Sequence, residues 1–119
     1  MYARDNGAAA RDTQQRLPAE ELVETAATAL RMLADPTRLR LVWLLHERAR
    51  DVGELASATG VARPAVSQHL GKLRLAGLVR THREGRRAVY TVRGGHVRRL
   101  VEEVLSAAEH HLTGAPDHD

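Results

Sequence analysis

The sequence predicts a mainly α-helical domain carrying one β-hairpin, in the order α-α-α-α-β-β-α, and three observations predict it. Apolar residues recur at helical spacing in five separate stretches. The third and fourth stretches are separated only by a tight joint that contains Gly60. The one run rich in β-branched and aromatic residues is interrupted by Arg83-Glu84-Gly85-Arg86, a turn signal. At 119 residues the chain has room for one domain with a modest core.

Residues 1–17 (MYARDNGAAARDTQQRL) are polar, aperiodic and rich in alanine and arginine, and are expected to form a disordered arm. The folded domain is expected over residues 18–112. Its first helix spans Pro18 to Leu33, with Pro18, Glu20 and Glu21 in the first turn and Leu22, Ala26, Leu30 and Leu33 as the apolar stripe. Asp35-Pro36 reads as an N-cap followed by a proline at the first helical position, opening a helix that carries Leu39, Val42, Trp43 and Leu45 into the core. Asp51, with Glu54 three residues on, spells a capping box for a short helix striped by Val52, Leu55 and Ala56 and closed by Gly60. After a three-residue joint, Arg63 to Ala76 forms the next helix, with Pro64 in its first turn and Gly77 ending it. Val79–His82 and Ala88–Val92 are the strands of the hairpin. The last helix runs from about Gly95 to Leu112 on the seam Val97, Leu100, Val101, Val104, Leu105, Ala108 and Leu112, and residues 113–119 form a flexible His/Asp tail. Terminal helices with apolar seams in so small a chain are most simply buried between two copies, so a homodimer through the N- and C-terminal helices is expected.

Two amphipathic helices joined by a tight glycine-bearing turn are a helix–turn–helix signature. At 100° per residue, Val66, Leu70 and Leu73 share one stripe of the second helix, and Pro64, Gln68, Gly71, Lys72 and Leu75 lie opposite, with Ser67 and Arg63 on the flank. Small and hydrogen-bonding residues on that outer face suit a major groove, and the first turns carry the base contacts in such helices. Arg63, Pro64, Ser67 and Gln68 are therefore the candidate readers, and Lys72 is a further DNA contact. His69 falls nearer the core stripe, where it serves either as a half-buried histidine satisfied by backbone or as a phosphate contact. From Arg80 to Arg93 five arginines (80, 83, 86, 87 and 93) face one acid, Glu84. A hairpin tip of that charge has no core to build, so Arg83, Arg86 and Arg87 are expected to touch phosphates as a wing.

The combined phrase LADPTRLRLVWLL (Leu33–Leu45), ELA with PAVSQHLGKLRLAGLV, and GRRAVYTV resembles the ArsR/SmtB family of winged-helix metal-responsive repressors over roughly Leu22 to Leu112. The resemblance implies a winged helix–turn–helix homodimer that binds a palindromic operator and leaves it when a metal or other signal binds. It also places Ser67 and Gln68 where relatives contact bases. Several branches of that family sense soft metals through thiolates near the first helix of the DNA-binding pair. This chain has no cysteine, so thiolate ligation and disulfide sensing are excluded and any metal must take nitrogen and oxygen ligands.

Those donors crowd the last 24 residues, which hold four of the seven histidines. His96 and His110 share a helical face but stand roughly 21 Å apart along it, whereas one ion needs ligands about 2 Å away. An antiparallel pair of last helices across a two-fold axis brings His96 of one copy to His110 of the other. Zinc-sensing relatives carry Asp-x-His at the start of this helix and His-x-x-His or His-x-x-Glu near its end; here the first aspartate is Gly94 and the first later histidine is Ala107. The remaining pattern is similar to the nickel- and cobalt-sensing branch, which adds a carboxylate and tail histidines. That implies His96, Glu109, His110 and His118 as ligands of Ni(II) or Co(II), with His111 and Asp119 as further candidates and Zn(II) as the competing ion. His46 and His82 are read as structural or DNA-proximal.

The remaining composition limits the partners. A sequence pI near 10.2 favours a polyanion, although a net charge of +3 makes the basicity local. No apolar run is long enough to span a bilayer and no signal-peptide core is present, so a cytoplasmic protein without a membrane partner is expected. No activated nucleophile pairs with a base and no phosphate-cradling loop appears, so an enzyme is not expected.

Overall fold

The computed structural model describes residues 16–114. The expected N-terminal arm and the tail residues His118 and Asp119 lie outside them, Arg16 and Leu17 apart. In chain order the elements are α1 (Glu20–Leu33), α2 (Pro36–Glu47), β1 (Arg50–Asp51), α3 (Val52–Thr59), α4 (Arg63–Leu75), β2 (Val79–Glu84), β3 (Arg87–Val92) and α5 (Gly94–Thr113).

Local chemistry sets most of the boundaries. Asp35 caps α2, its Oδ2 accepting from the Arg38 backbone N–H at 2.9 Å, and Pro36 opens the helix without losing a bond. Asp51 Oδ1 accepts from Glu54 N–H at 2.8 Å while Glu54 Oε1 accepts from Asp51 N–H at 3.0 Å, the reciprocal capping box the sequence spells. Gly60 at φ 74° stops α3, and three residues later α4 begins. The hairpin closes through the two-residue loop Gly85-Arg86, with Glu84 opposite Arg87. Gly85 at φ 63° supplies the positive φ that a II′ turn requires at its first loop position.

The sheet has three strands rather than the expected two, in the order β1-β3-β2, all antiparallel. β1 is only Arg50–Asp51, opposite Tyr90 and Val89. Two charged residues carry no period, so this strand exists through its pairing with β3 and nothing local announces it.

A single core joins the elements. Leu41, Val42 and Leu45 of α2, Leu55 of α3, and Val66, Leu70 and Leu73 of α4 are all fully buried, with Val101 of α5 beside them. Among the described residues no polar or charged residue is buried. The expected core of α2 is amended: Leu41 is buried, while Leu39 and Trp43 are only half-buried. The stripe of α1 also differs from a core stripe. Leu33 is buried, but Leu22 and Leu30 remain exposed within one protomer. No helix of the described residues is long and apolar enough to cross a membrane.

Candidate nucleic-acid interface and metal centre

α4 is fixed from beneath and open above. Val66, Leu70 and Leu73 are fully buried, which turns Arg63, Pro64, Ser67, Gln68 and Lys72 outward, and each of these five is exposed. Leu75, at the end of the same face, is 91% exposed. No side chain caps the start of α4, where Ala62 is the N-cap. Arg63 folds back over Gly53 of α3, its Nη2 3.0 Å from where a Cβ there would stand.

His69 sits on the flank, half-buried. It is satisfied by a side chain rather than by backbone: Arg38 Nη1 donates to its Nδ1 at 3.3 Å. Arg38 also donates from Nε to the Met32 carbonyl at 2.7 Å, so one guanidinium joins the end of α1 to α4. Sequence reasoning gave Arg38 no role. Its signal was present only as part of the Asp35–Arg38 phrase, because its partners lie 6 and 31 residues away.

On the wing, Arg83 and Arg86 are exposed at the tip, while His82 Nε2 lies 3.3 Å from Glu84 Oε2. Arg87 is engaged differently. Its Nε lies 3.1 Å from Asp51 Oδ2 and its Nη2 2.9 Å from Glu54 Oε1, so it ties the base of the wing to the capping box of α3. Arg48 lies 3.4 Å from the other Glu54 oxygen. The hydrogen bond from Asp51 N–H, with Arg48 adding to it, holds the Glu54 carboxyl below its ordinary range. Arg48, Arg63 and Arg87 also line a polar depression of about 800 Å³ between α3, the start of α4 and the wing.

The candidate metal ligands are spread along α5. His96 is exposed in its first turn, with Arg99 Nη2 donating to Nδ1 at 3.0 Å, which leaves Nε2 as the nitrogen that could take an ion. Glu109 and His111 are exposed near the other end and His110 is half-buried. The helix is unbroken from Gly94 to Thr113, so His96 and His110 stand roughly 21 Å apart within one chain. Among the described residues no group of three or more histidines and acids gathers to hold an ion. Imidazole and carboxylate donors suit Ni(II), Co(II) or Zn(II), and among the described residues those at the two ends of α5 could share an ion only if two chains contributed. Gly94 has φ 85°, a conformation an aspartate there would adopt with strain, so the missing first ligand goes with a glycine-specific start to α5.

His46 is structural. It stacks on Trp43 with centroids 4.6 Å apart, donates from Nε2 to Glu102 at 2.8 Å, and accepts from Arg98 through its carbonyl, fastening α2 to α5.

Comparison with known proteins gives a consistent picture. The model for "Bacterial regulatory protein, arsR family" matches residues 35–81. The HTH-type transcriptional regulator KmtR of Mycobacterium tuberculosis is 49% identical over 88 residues, covering 74% of this chain and 68% of that protein. The HTH-type transcriptional repressor SmtB of the same species is 38% identical over 91 residues, covering 76% and 67%. Among solved structures, the homodimeric winged helix–turn–helix DNA-binding domain Mb0332 of Mycobacterium bovis superposes with a TM-score of 0.77 at 32% identity, covering 86% of this chain and 97% of that one.

Proposed function

The chain belongs to the arsR family of bacterial regulatory proteins, and from that premise we propose that it is a cytoplasmic, homodimeric transcriptional repressor, not an enzyme, released from a palindromic operator by Ni(II) or Co(II). The observation that carries the DNA-binding half is α4: three fully buried residues turn Arg63, Pro64, Ser67, Gln68 and Lys72 to one open face beside a wing tipped by Arg83 and Arg86. Two such helices across a two-fold axis enter successive major grooves about 34 Å apart. There Ser67, Gln68 and Arg63 meet base edges with Pro64 packed beside them, His69 and Lys72 meet the backbone, and the wing grips flanking phosphates. Arg87 contributes by holding the wing against α3 as well as by its charge.

The sensing half rests on α5 and on the branch its last residues resemble. His96, Glu109, His110 and His118, with His111 and Asp119 as further ligands, would hold the ion between two protomers, and the ion supplies a cross-link between their last helices. The exposed seam of Leu100, Val104 and Leu112 supports such pairing. Whatever factor the ion takes from DNA affinity, DNA takes from ion affinity.

A second reading keeps the fold and the DNA site but senses Zn(II), or no metal. It is left open because imidazole and carboxylate donors suit Zn(II) as well as Ni(II) and Co(II). Operator affinity with and without Ni(II), Co(II) and Zn(II) separates the two. Nickel or cobalt is expected to weaken wild-type binding at least about fivefold and to have no effect on His110→Ala. If no metal changes wild-type affinity, the sensing reading is lost.

A further inference from the structure

We propose that Arg38 is a positioning residue for DNA binding: it holds His69 as the Nε2–H tautomer and so presents a hydrogen-bond donor from the flank of α4 to a phosphate oxygen of the duplex. This rests on the DNA-binding reading above.

A guanidinium has five N–H donors, no acceptor, and keeps its proton in proteins. The contact between Arg38 Nη1 and His69 Nδ1 at 3.3 Å is therefore a hydrogen bond only when Nδ1 offers its lone pair. The single ring proton of the neutral imidazole must then sit on Nε2. That nitrogen has no hydrogen-bond partner among the described residues, and it is not sealed from solvent as His46 Nδ1 is. A donor is thus left open on the side of the ring turned away from Arg38.

Arg38 is well held for this task. Nε donates to the Met32 carbonyl at 2.7 Å and the backbone N–H donates to Asp35 Oδ2 at 2.9 Å, so the guanidinium is pinned to the α1–α2 junction before it meets the histidine. A pinned donor cannot follow the ring if the tautomer changes. His69 itself lies between the buried line of Val66 and Leu70 and the exposed line of Gln68 and Lys72. A half-buried residue on that flank faces the wall of a groove, where phosphates stand, more than its floor. A neutral N–H donating to a phosphate is charge-assisted, and its loss should cost about tenfold in affinity.

The test combines side-chain ¹⁵N NMR of the DNA-free protein with binding to two duplexes, an operator selected from a random pool and an unrelated duplex of equal length. Wild-type His69 is expected to show the Nε2–H signature. His69→Gln, whose amide N–H stands near the place of Nε2, should bind within about twofold of wild type, whereas His69→Asn should lose about tenfold on both duplexes alike. Arg38→Met should weaken binding several-fold in the wild-type background and not at all when residue 69 is Asn, because it acts through the ring. An Nδ1–H tautomer in the wild type, equal affinities of the Gln and Asn variants, or an Arg38→Met loss that persists undiminished beside His69→Asn would each overturn the proposal. A loss confined to the operator would overturn the phosphate assignment in favour of a base edge. Should Arg38→Met fail to fold, the wild-type tautomer and the His69 pair still decide. If the wild type binds neither duplex, the DNA-binding reading itself fails.

Discussion

Glu54 serves three neighbours with one carboxylate: it closes the capping box to Asp51 N–H, pairs with Arg87 of the wing and lies near Arg48. The hydrogen bond from Asp51 N–H is the largest reason its carboxyl stays below the ordinary range, and Asp35 is lowered in the same way by Arg38 N–H. A carboxylate whose folded pKa is depressed stabilises the fold above its unfolded pKa and loses that contribution as pH falls through the folded value. Thermal unfolding is therefore expected to be flat near neutrality and to drop below about pH 5. Glu54→Gln should lower the midpoint at neutral pH and shallow the acid slope, leaving the part that Asp35 carries. Parallel pH curves for the two proteins would show that Glu54 is not linked to folding. Because Arg87 shares the carboxylate, the same variant should also loosen the wing, read as faster amide exchange at the base of the hairpin.

At the scale of elements, the wing and α4 divide the work differently. Arg83 and Arg86 are exposed at the tip of β2–β3, with no side-chain hydrogen bond or ion pair among the described residues, so removing one should leave the fold intact. Arg86→Ala is expected to weaken binding to specific and unrelated duplexes by the same factor and to reduce the slope of log affinity against log salt by about one. Ser67→Ala and Gln68→Ala should instead weaken the operator selectively and leave that slope unchanged, which a salt titration on both duplexes distinguishes. The elements themselves were largely legible in the sequence, because caps and turns are local. Asp35-Pro36, the Asp51/Glu54 pair and Gly85 each carry their geometry within four residues. The unread parts are non-local. β1 exists through Tyr90 and Val89, Arg87 finds Glu54 across 33 residues, and Arg38 finds His69 across 31. Each is an arginine or a charged pair whose partner only the fold brings near, and an arginine-rich sequence gives no means of telling these from the ones facing solvent.

For the whole molecule, the informative surface is the one a single chain leaves unfinished. Leu22, Val23 and Leu30 of α1 and Leu100, Val104 and Leu112 of α5 are exposed apolar residues on the two terminal helices. Scattered exposed apolar residues need no explanation, but six on two helices that flank one core do. If His96 and His110 ligate the same ion, their spacing on α5 also requires two chains, because one unbroken helix keeps them too far apart to share it. These two lines make a joint prediction. Leu30→Glu alters α1, a helix that carries no candidate ligand, and it removes an apolar contact twice, once per protomer. Full burial of a leucine is worth about 1.5–3 kcal/mol and Leu30 is half exposed in the protomer, so the dimer should weaken at least about tenfold, measured by sedimentation, while the monomer's core stays folded. If the metal site is shared, the same variant must also lose tight nickel binding by calorimetry although every ligand is present, and it must lose cooperative binding to a two-half-site operator while keeping weak affinity for one half-site. A monomeric Leu30→Glu that still binds nickel tightly would place the ion within one chain, and the tail beyond Gly114 would then have to supply the ligands that α5 holds apart.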